Sequence, residues 1–519
     1  MGAQILGRPG SNHLSLPPLP ASSSVALFRQ VCVGVRLAEH TPRDPSASVL
    51  YTVVRDHFET FRAESTRLRG GDGLPRFVED EFRAFLRCGF LAGGFARFRC
   101  GNCKTERLVA FSCKGRGFCP SCGGRRMAER AAHLVDHVLP DVPVRQWVLS
   151  VPHRTRYLLA WNHDVCRGVA RALHRAVERH LRAWARERGL PDARGGGIAV
   201  IQRFGGSVNL HVHVHALVLD GVYARTTTGR LRFHAAPAPS EADMADILAT
   251  IVPAVRRLLA RHGLDAEDGT AVDPFAEATP LLAGWAAASV RGLAASGVST
   301  HQPHRLGARR EPNGATPEPR ACQARWEAFD LHAGVRVPAG HRDRLERLCR
   351  YALRPPLADE RLHRTPSGDV AVQLRTAWAD GTTHVAFSPR AFLARLAVLI
   401  PRPRVNLLLY SGVLAPRASW RKQIVPHAPV SATHAVPDES LSARSVSNPS
   451  RGWRWADLMR RVFELDVLAC PRCGGRLRLI AVLEASEATK RILRHFRLPT
   501  EVPPPAPARA PPGVDDWAA

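Results

Sequence analysis

The segment GGIAVIQRFGGSVNLHVHVHALVLDGVY, residues 196–223, admits few folds. Two runs rich in apolar and β-branched residues flank a Gly-containing turn, which predicts a β-hairpin. In the second run Leu210, Val212, Val214 and Ala216 alternate with His211, His213 and His215. Side chains at i, i+2 and i+4 of a strand share a face. The three imidazoles therefore point one way and the apolar residues the other. Such a strand can hold a divalent cation, or it can be a histidine face satisfied by ordinary hydrogen bonds.

The cysteines give a second constraint. CGNCKTERLVAFSCKGRGFCPSC, residues 100–122, holds Cys100-x2-Cys103 and Cys119-x2-Cys122 with 15 residues between the pairs. Two CxxC turns at this spacing supply the four thiolates of a tetrahedral zinc site, so Cys100, Cys103, Cys119 and Cys122 are the expected structural zinc ligands. Cys88 and Cys113 are spare thiols, either of which can replace a ligand. Cys470-x2-Cys473 supplies half of a possible second metal site; His495 or a second chain can complete it, or the turn binds no metal. This spacing argues against disulfides.

Charge points to the partner. The chain has 73 Lys and Arg against 46 Asp and Glu, a net +27, and all but four of the basic residues are arginine. That excess suits a polyanion, most simply nucleic acid. Arg97, Arg99, Lys104, Arg107 and Lys114 crowd the first cysteine pairs. No apolar run reaches the ~18 residues of a membrane span, and the N-terminus lacks the pattern of a secretory signal, so a cytoplasmic protein is expected.

One further residue invites chemistry. On a helix expected at 341–353, Leu345, Leu348, Cys349 and Ala352 form the apolar stripe, with Tyr351 at its edge. Arg347 and Arg354 stand at i−4 and i+3 from it. Two guanidiniums beside a tyrosine favour its phenolate, which can receive a scissile phosphate. Ordinary packing at a helix edge explains a lone tyrosine equally well.

Taken in order, these pieces resemble a known family. FCPSC, RQWVLSVP, IQRFGGSVNLHVHVHALVLDG, CRYALRPPLADERL, AWADGTTHVAFSPRAFLARLAVLIPRPRVNLLLYSGVLAP and DVLACPRCGG follow one another over residues 48–500. The set closely resembles the zinc-binding, rolling-circle-type transposases of bacterial insertion sequences, within the His-hydrophobe-His single-strand endonucleases. The resemblance implies that His213 and His215 bind a catalytic Mg²⁺ or Mn²⁺. It implies that Tyr351 attacks single-stranded DNA, giving a 5′-phosphotyrosine link and a free 3′-OH, with Arg347 and Arg354 beside it. The implied partners are single-stranded and terminal hairpin DNA of the element and target DNA, in a nucleoid-associated bacterial protein.

The chain departs from the family in three places. Arg347 stands where some relatives have a first tyrosine, so the chain resembles a single-tyrosine member. The third metal ligand is open: Pro355 occupies one candidate position, His211 shares the histidine face, and Gln202 lies across the hairpin from His213 if the turn centres near 207–208. Gln202 is favoured. Leu409 and Ser411 replace an expected Arg and His. A non-catalytic DNA-binding copy and a plasmid-type replication initiator or relaxase are the alternatives.

The expected fold is multidomain α+β. A loose extension (1–47) precedes a helical, zinc-binding domain (48–138). A catalytic domain (139–415) follows, built on an antiparallel sheet with packed helices and a loop insertion at 297–320. A linker (416–452), a small CxxC module (453–498) and a disordered tail (499–519) complete the chain.

Overall fold

The computed structural model describes residues 44–68, 73–264, 273–307, 321–425 and 455–509. Two helices lead: α1 (Val49–Leu68) and α2 (Arg76–Leu86). A hairpin of β1 (Gly94–Cys100) and β2 (Glu106–Ala110) runs into α3 (Pro120–His137). Then come β3 (Val144–Ser150), α4 (His153–Trp161), α5 (His163–Arg186), β4 (Gly196–Phe204), β5 (Leu210–Leu219) and α6 (Glu241–Arg261). The elements used below continue with β6 (Gln323–Trp326), β7 (Phe329–Val337), α7 (Arg342–Leu353), α8 (Pro389–Leu399) and β8 (Leu408–Gly412). The last are α9 (Trp455–Phe463) and β9 (Leu477–Glu484).

The architecture is α+β. A six-stranded sheet, order β6-β7-β3-β5-β4-β8, has every neighbouring pair antiparallel. The histidine strand β5 is therefore interior, with both edges hydrogen-bonded. Its alternation divides two cores. Val212, Val214, Ala216 and Val218 face a core shared with α4, α5 and α8. Leu217 and Leu219, on the histidine face, pack with Ile198, Val200 and the apolar stripe of α7, namely Leu345, Leu348, Cys349 and Ala352. Ala131, Leu134 and Val135 of α3 complete this second core. Its composition brings the tyrosine helix against the histidine face.

The turn between β4 and β5 sets the register. Gly205 N–H donates to Asn209 O (2.9 Å), and Val208 adopts φ 59°, a left-handed conformation costly for a β-branched residue. A register shift between Gln202 and Phe204 leaves Gln202 opposite His213 and Val200 opposite His215. The tyrosine helix ends where Pro355 and Pro356 cannot continue it.

Several expectations about the periphery differ from the structure. The C-terminal CxxC module is not separate: β9 pairs with β1 to form a three-stranded sheet, order β9-β1-β2. Within the expected loop 297–320, His304–Leu306 forms a strand paired with His384–Phe387; residues 308–320 lie outside the described residues. At the start of the expected linker, Trp420 is buried, with the Arg194 and Arg225 guanidiniums 4.4 and 5.5 Å from its ring. The rest of that linker, from 426, lies outside the described residues, as does the expected N-terminal extension up to 43. In the expected disordered tail, Ala506 N–H donates to Arg55 O (2.8 Å) and Arg509 N–H to Thr60 Oγ1 (3.1 Å), so residues 506–509 lie along α1.

Candidate active site and metal centres

On β5 the two interior histidines converge. His213 Nδ1–H donates to its neighbour's carbonyl, His211 O, at 2.8 Å, since a carbonyl only accepts. That leaves the Nε2 lone pair of His213 facing His215 Nε2 at 3.0 Å. Two ligands ~2.1 Å from an octahedral ion and at right angles to it lie about 3.0 Å apart. The spacing matches two ligands of a hard divalent cation; without an ion the same contacts form a hydrogen-bonded chain, Gln146 Nε2–H to His215 Nδ1 and His215 Nε2–H to His213 Nε2. Burial first, then nearby positive charge on Arg354 and Arg156, holds His213 at about 4, although its bond to His211 opposes this. Burial also pulls His215 well below the usual histidine value. Both rings are neutral near pH 7, the state a ligand needs.

Gln202 has a free acceptor in the right place. Its amide Nε2–H donates to Ala352 O at 3.1 Å, the residue after Tyr351. Only the amide nitrogen can donate to a carbonyl, so Oε1 is the remaining atom. Among the described residues this buried oxygen has no hydrogen-bond partner. An orphaned buried acceptor opposite His213 fits a third ligand. His211 Nε2 is also buried without a partner among the described residues, and burial holds its ring at about 3, but the ring nitrogens of His211, His213 and His215 do not gather into one ligand cluster.

The tyrosine stands beside the pair. The Tyr351 ring meets the His215 ring edge-on, centroids 5.8 Å apart, and Tyr351 is 36% exposed, open to a substrate. Arg354 stacks over the Tyr351 ring at 4.3 Å and over Phe204 at 5.6 Å. Arg347, the other expected flanking cation, pairs its guanidinium with Asp343 at 2.9 Å on the exposed side of α7. At i−4 it shares a helix face with Asp343 as readily as with Tyr351, and the opposite charge wins.

Three participants escaped the sequence reading. Gln146 on β3 reaches the far nitrogen of His215, Nε2···Nδ1 2.9 Å. For His215 to present Nε2 to an ion, its proton must sit on Nδ1 and the Gln146 amide must turn its oxygen to that proton. The available signal was a lone amide in the apolar run RQWVLSVP. Arg361 and Arg375 crowd Arg354. Burial, then the charges of Arg375 and Arg354, bring the Arg361 guanidinium down to about 10. Nothing local in the sequence marks these two.

The cysteines assemble differently from expectation. Cys100, Cys103, Cys119 and Cys122 do not form one site. Cys119 and Cys122, at the start of α3, join Cys88 and Cys113, and Cys100 and Cys103 join Cys470 and Cys473. The reason is the hairpin: Cys100–Cys103 sits at its tip, and five-residue β2 carries the chain ~17 Å back to the base, where Cys88 and Cys113 lie. Four sulfurs ~2.3 Å from a tetrahedral zinc ion are ~3.8 Å apart. In the first cluster Cys88 Sγ lies 3.8 Å from both Cys119 and Cys122, and Cys113 lies 3.3 Å from Cys122. The donor set fits structural zinc. The cluster also lies close to the tyrosine helix: a Cβ on Gly123, one residue after Cys122, would stand 2.6 Å from the Pro355 side chain, so α3 touches the end of that helix.

Two basic hollows adjoin these elements. One, of about 110 Å³, is lined by Gln202, Phe204 and Arg354 together with Arg116, Arg126 and Arg130 of the cysteine-bearing region. The other, of about 700 Å³, lies between α5 and α6 and is lined by Arg171, Arg175, Arg179, Arg257 and Arg261. No described helix is long and apolar enough to cross a membrane.

Two family models match the chain. The one described as "Transposase zinc-binding domain" covers residues 53–151, and the one described as "Putative transposase" covers 196–422. The first contains the whole Cys88–Cys113–Cys119–Cys122 cluster, and the second contains Gln202, the histidine strand and Tyr351. No curated protein and no solved structure matches.

Proposed function

The chain belongs to the zinc-binding transposases of the IS91 type, and from that premise we propose that it cuts and rejoins single-stranded DNA through Tyr351. The observation that carries this reading is the Tyr351 ring edge-on to His215, whose Nε2 meets His213 Nε2, with Gln202 opposite His213 on the neighbouring strand.

The Tyr351 oxygen attacks the phosphorus of a phosphodiester. The tyrosyl O–P bond forms as the P–O3′ bond breaks; the phenol gives up its proton to solvent and the leaving 3′ oxygen takes one up. The product is a 5′-phosphotyrosine and a free 3′-OH. Reversal by another 3′-OH rejoins DNA, and because no water is consumed the bond energy stays in the protein–DNA link. His213, His215 and Gln202 would hold Mg²⁺ or Mn²⁺, which supplies Lewis-acid polarisation of the scissile phosphate when bound. Gln146 fixes the His215 ring. Arg354, Arg361 and Arg375 repel one another across a small space, and a phosphate relieves that repulsion while its charge is stabilised. Arg347 is left without a catalytic part.

DNA reaches the site over basic surface. Arg171, Arg175 and Arg179 recur at one per turn, ~6 Å apart along α5, and with Arg257 and Arg261 they offer a backbone track. The first zinc cluster, held against Pro355, is the structural support that keeps the tyrosine helix at the histidines.

The test is a covalent trap. Labelled single-stranded DNA from the element's end is incubated with the protein and Mn²⁺ and run on a denaturing gel. A protein-linked band that vanishes in Tyr351→Phe supports the reading. No band, or a band unchanged in Tyr351→Phe, refutes it and favours a DNA-binding copy without strand chemistry.

A further inference from the structure

Cys470 and Cys473 repeat, at the far end of the chain, the backbone that carries Cys100 and Cys103. In the first turn Cys100 N–H donates to Thr105 O at 2.8 Å, Lys104 is left-handed at φ 64°, and Arg99 pairs with Glu106 across the hairpin. In the second, Cys470 N–H donates to Gly475 O at 2.7 Å, Gly474 is left-handed at φ 69°, and Ala469 bridges to Arg476. The two turns agree position by position. Each has cysteines at i and i+3, a left-handed residue at i+4, the carbonyl acceptor at i+5 and a cross-strand pair between i−1 and i+6.

The two turns meet sulfur to sulfur. Cys100 lies 3.5 Å from Cys473 and Cys103 lies 3.5 Å from Cys470, with all four Sγ atoms within 4.8 Å of one another. The turns approach closely at Gly475, where a Cβ would stand 2.8 Å from the Asn102 side-chain amide and 3.3 Å from Cys100 Sγ. The apolar core at the junction is small, with Leu477 buried between Cys100 and Cys470 and Phe98 and Cys103 packed on it. Beyond this small core, segments more than 360 residues apart are held here by the backbone pairing of β9 with β1.

We propose that Cys100, Cys103, Cys470 and Cys473 bind a second zinc ion that staples the C-terminal segment to the zinc-binding domain. Each thiol gives its proton to solvent as its sulfur takes the ion, so four protons leave and the site carries two negative charges. Lys104 and Arg472, on the turns themselves, offset them. The staple holds β9 on the edge of β1. It also holds the segment beginning with α9, whose Arg461 bonds Asp136 Oδ1 on α3 (2.9 Å) and Glu346 Oε2 on the tyrosine helix (2.8 Å). An ion bound at one end of the chain thus steadies the helix that carries Tyr351. The proposal does not rest on the strand-transfer chemistry.

The test counts metal on the full chain by native mass spectrometry and elemental analysis, with hydrogen exchange at β9. The wild type should carry two zinc ions per chain. Cys470→Ser/Cys473→Ser and Cys100→Ser/Cys103→Ser should each carry one, and β9 amides should exchange faster while those of α2 do not. X-ray absorption of the wild type should report sulfur at about 2.3 Å. One zinc in the wild type, or two retained in either variant, overturns the proposal. Recovery of the lost zinc on mixing the two variants also overturns it, since the site would then join two chains. If neither variant accumulates, the wild type is titrated with a chelator. The cluster containing exposed Cys473 should release one equivalent first, with β9 exchange rising in step. Release of both ions together with β9 unchanged counts against the staple.

Discussion

The histidine strand and the cysteine clusters are both donor sets, built at opposite extremes of chain separation. His213 and His215 are two residues apart, and Gln202 reaches them through one hairpin register. The second cysteine cluster joins Cys100 to Cys473, 373 residues away. In the first case the strand's own periodicity places the ligands. In the second, spacing misleads: the CxxC pairs nearest in sequence are kept apart by the hairpin between them, and each finds partners elsewhere. The cluster with Cys88 and Cys113 lies between these extremes, since its ligands are local but unpatterned.

The largest effect that can break this contrast lies on the strand. His213→Ala should cut single-strand nicking by about 10²-fold or more, with Mn²⁺ binding lost, because the local pair is the cation's main hold. Titration of Mn²⁺ by electron paramagnetic resonance, beside a nicking assay, reads both. Unchanged Mn²⁺ affinity would place the ion elsewhere.

Gln202→Ala and His211→Ala set the third ligand. Both offer an orphaned buried atom, but only Gln202 is also tied to Ala352 beside the tyrosine. Gln202→Ala should therefore cost more in Mn²⁺ affinity than His211→Ala. The reverse order would transfer the role to His211.

Gln146→Leu tests the outer support of the site. A group that fixes the ring of a ligand histidine is typically worth 10–100-fold in metal affinity or activity. The loss should fall in that range and be partly restored in Gln146→Asn or by raising Mn²⁺. A variant indistinguishable from wild type would make Gln146 a passive neighbour.

The smallest effect concerns DNA binding alone. Arg171→Ala/Arg175→Ala/Arg179→Ala should weaken single-stranded DNA binding uniformly across sequences. It should also lower the slope of log K against log salt by about 2, at roughly 0.7 per lost contact. Fluorescence anisotropy across a salt series measures it. An unchanged slope removes the α5–α6 groove from the DNA path.

The sequence made the histidine hairpin and the tyrosine helix legible where local chemistry decides. Alternation in 210–216 put the histidines on one face, the hairpin turn put Gln202 opposite His213, and the 3.6-residue stripe of 345–352 oriented the tyrosine helix. Each is a short-range rule with few competing solutions. What stayed hidden depended on packing between distant segments: the Gln146 contact across β3, the gathering of Arg361 and Arg375, and the exchange of cysteine partners. Arg347 has a local competitor the sequence reading did not weigh, since Asp343 on the same helix face pairs with it. The Pro-rich end misled because composition cannot register the backbone bonds from Ala506 and Arg509 to α1.

The central claim is that Tyr351 and the His213–His215 pair form one strand-cleaving site. The most direct measurement is peptide mapping of the protein–DNA adduct formed with Mn²⁺. The account predicts a peptide carrying Tyr351 with a nucleotide attached through its 5′-phosphate, and no adduct in His213→Ala/His215→Ala. A nucleotide mapped to another residue, or attached through a 3′-phosphate, would contradict it.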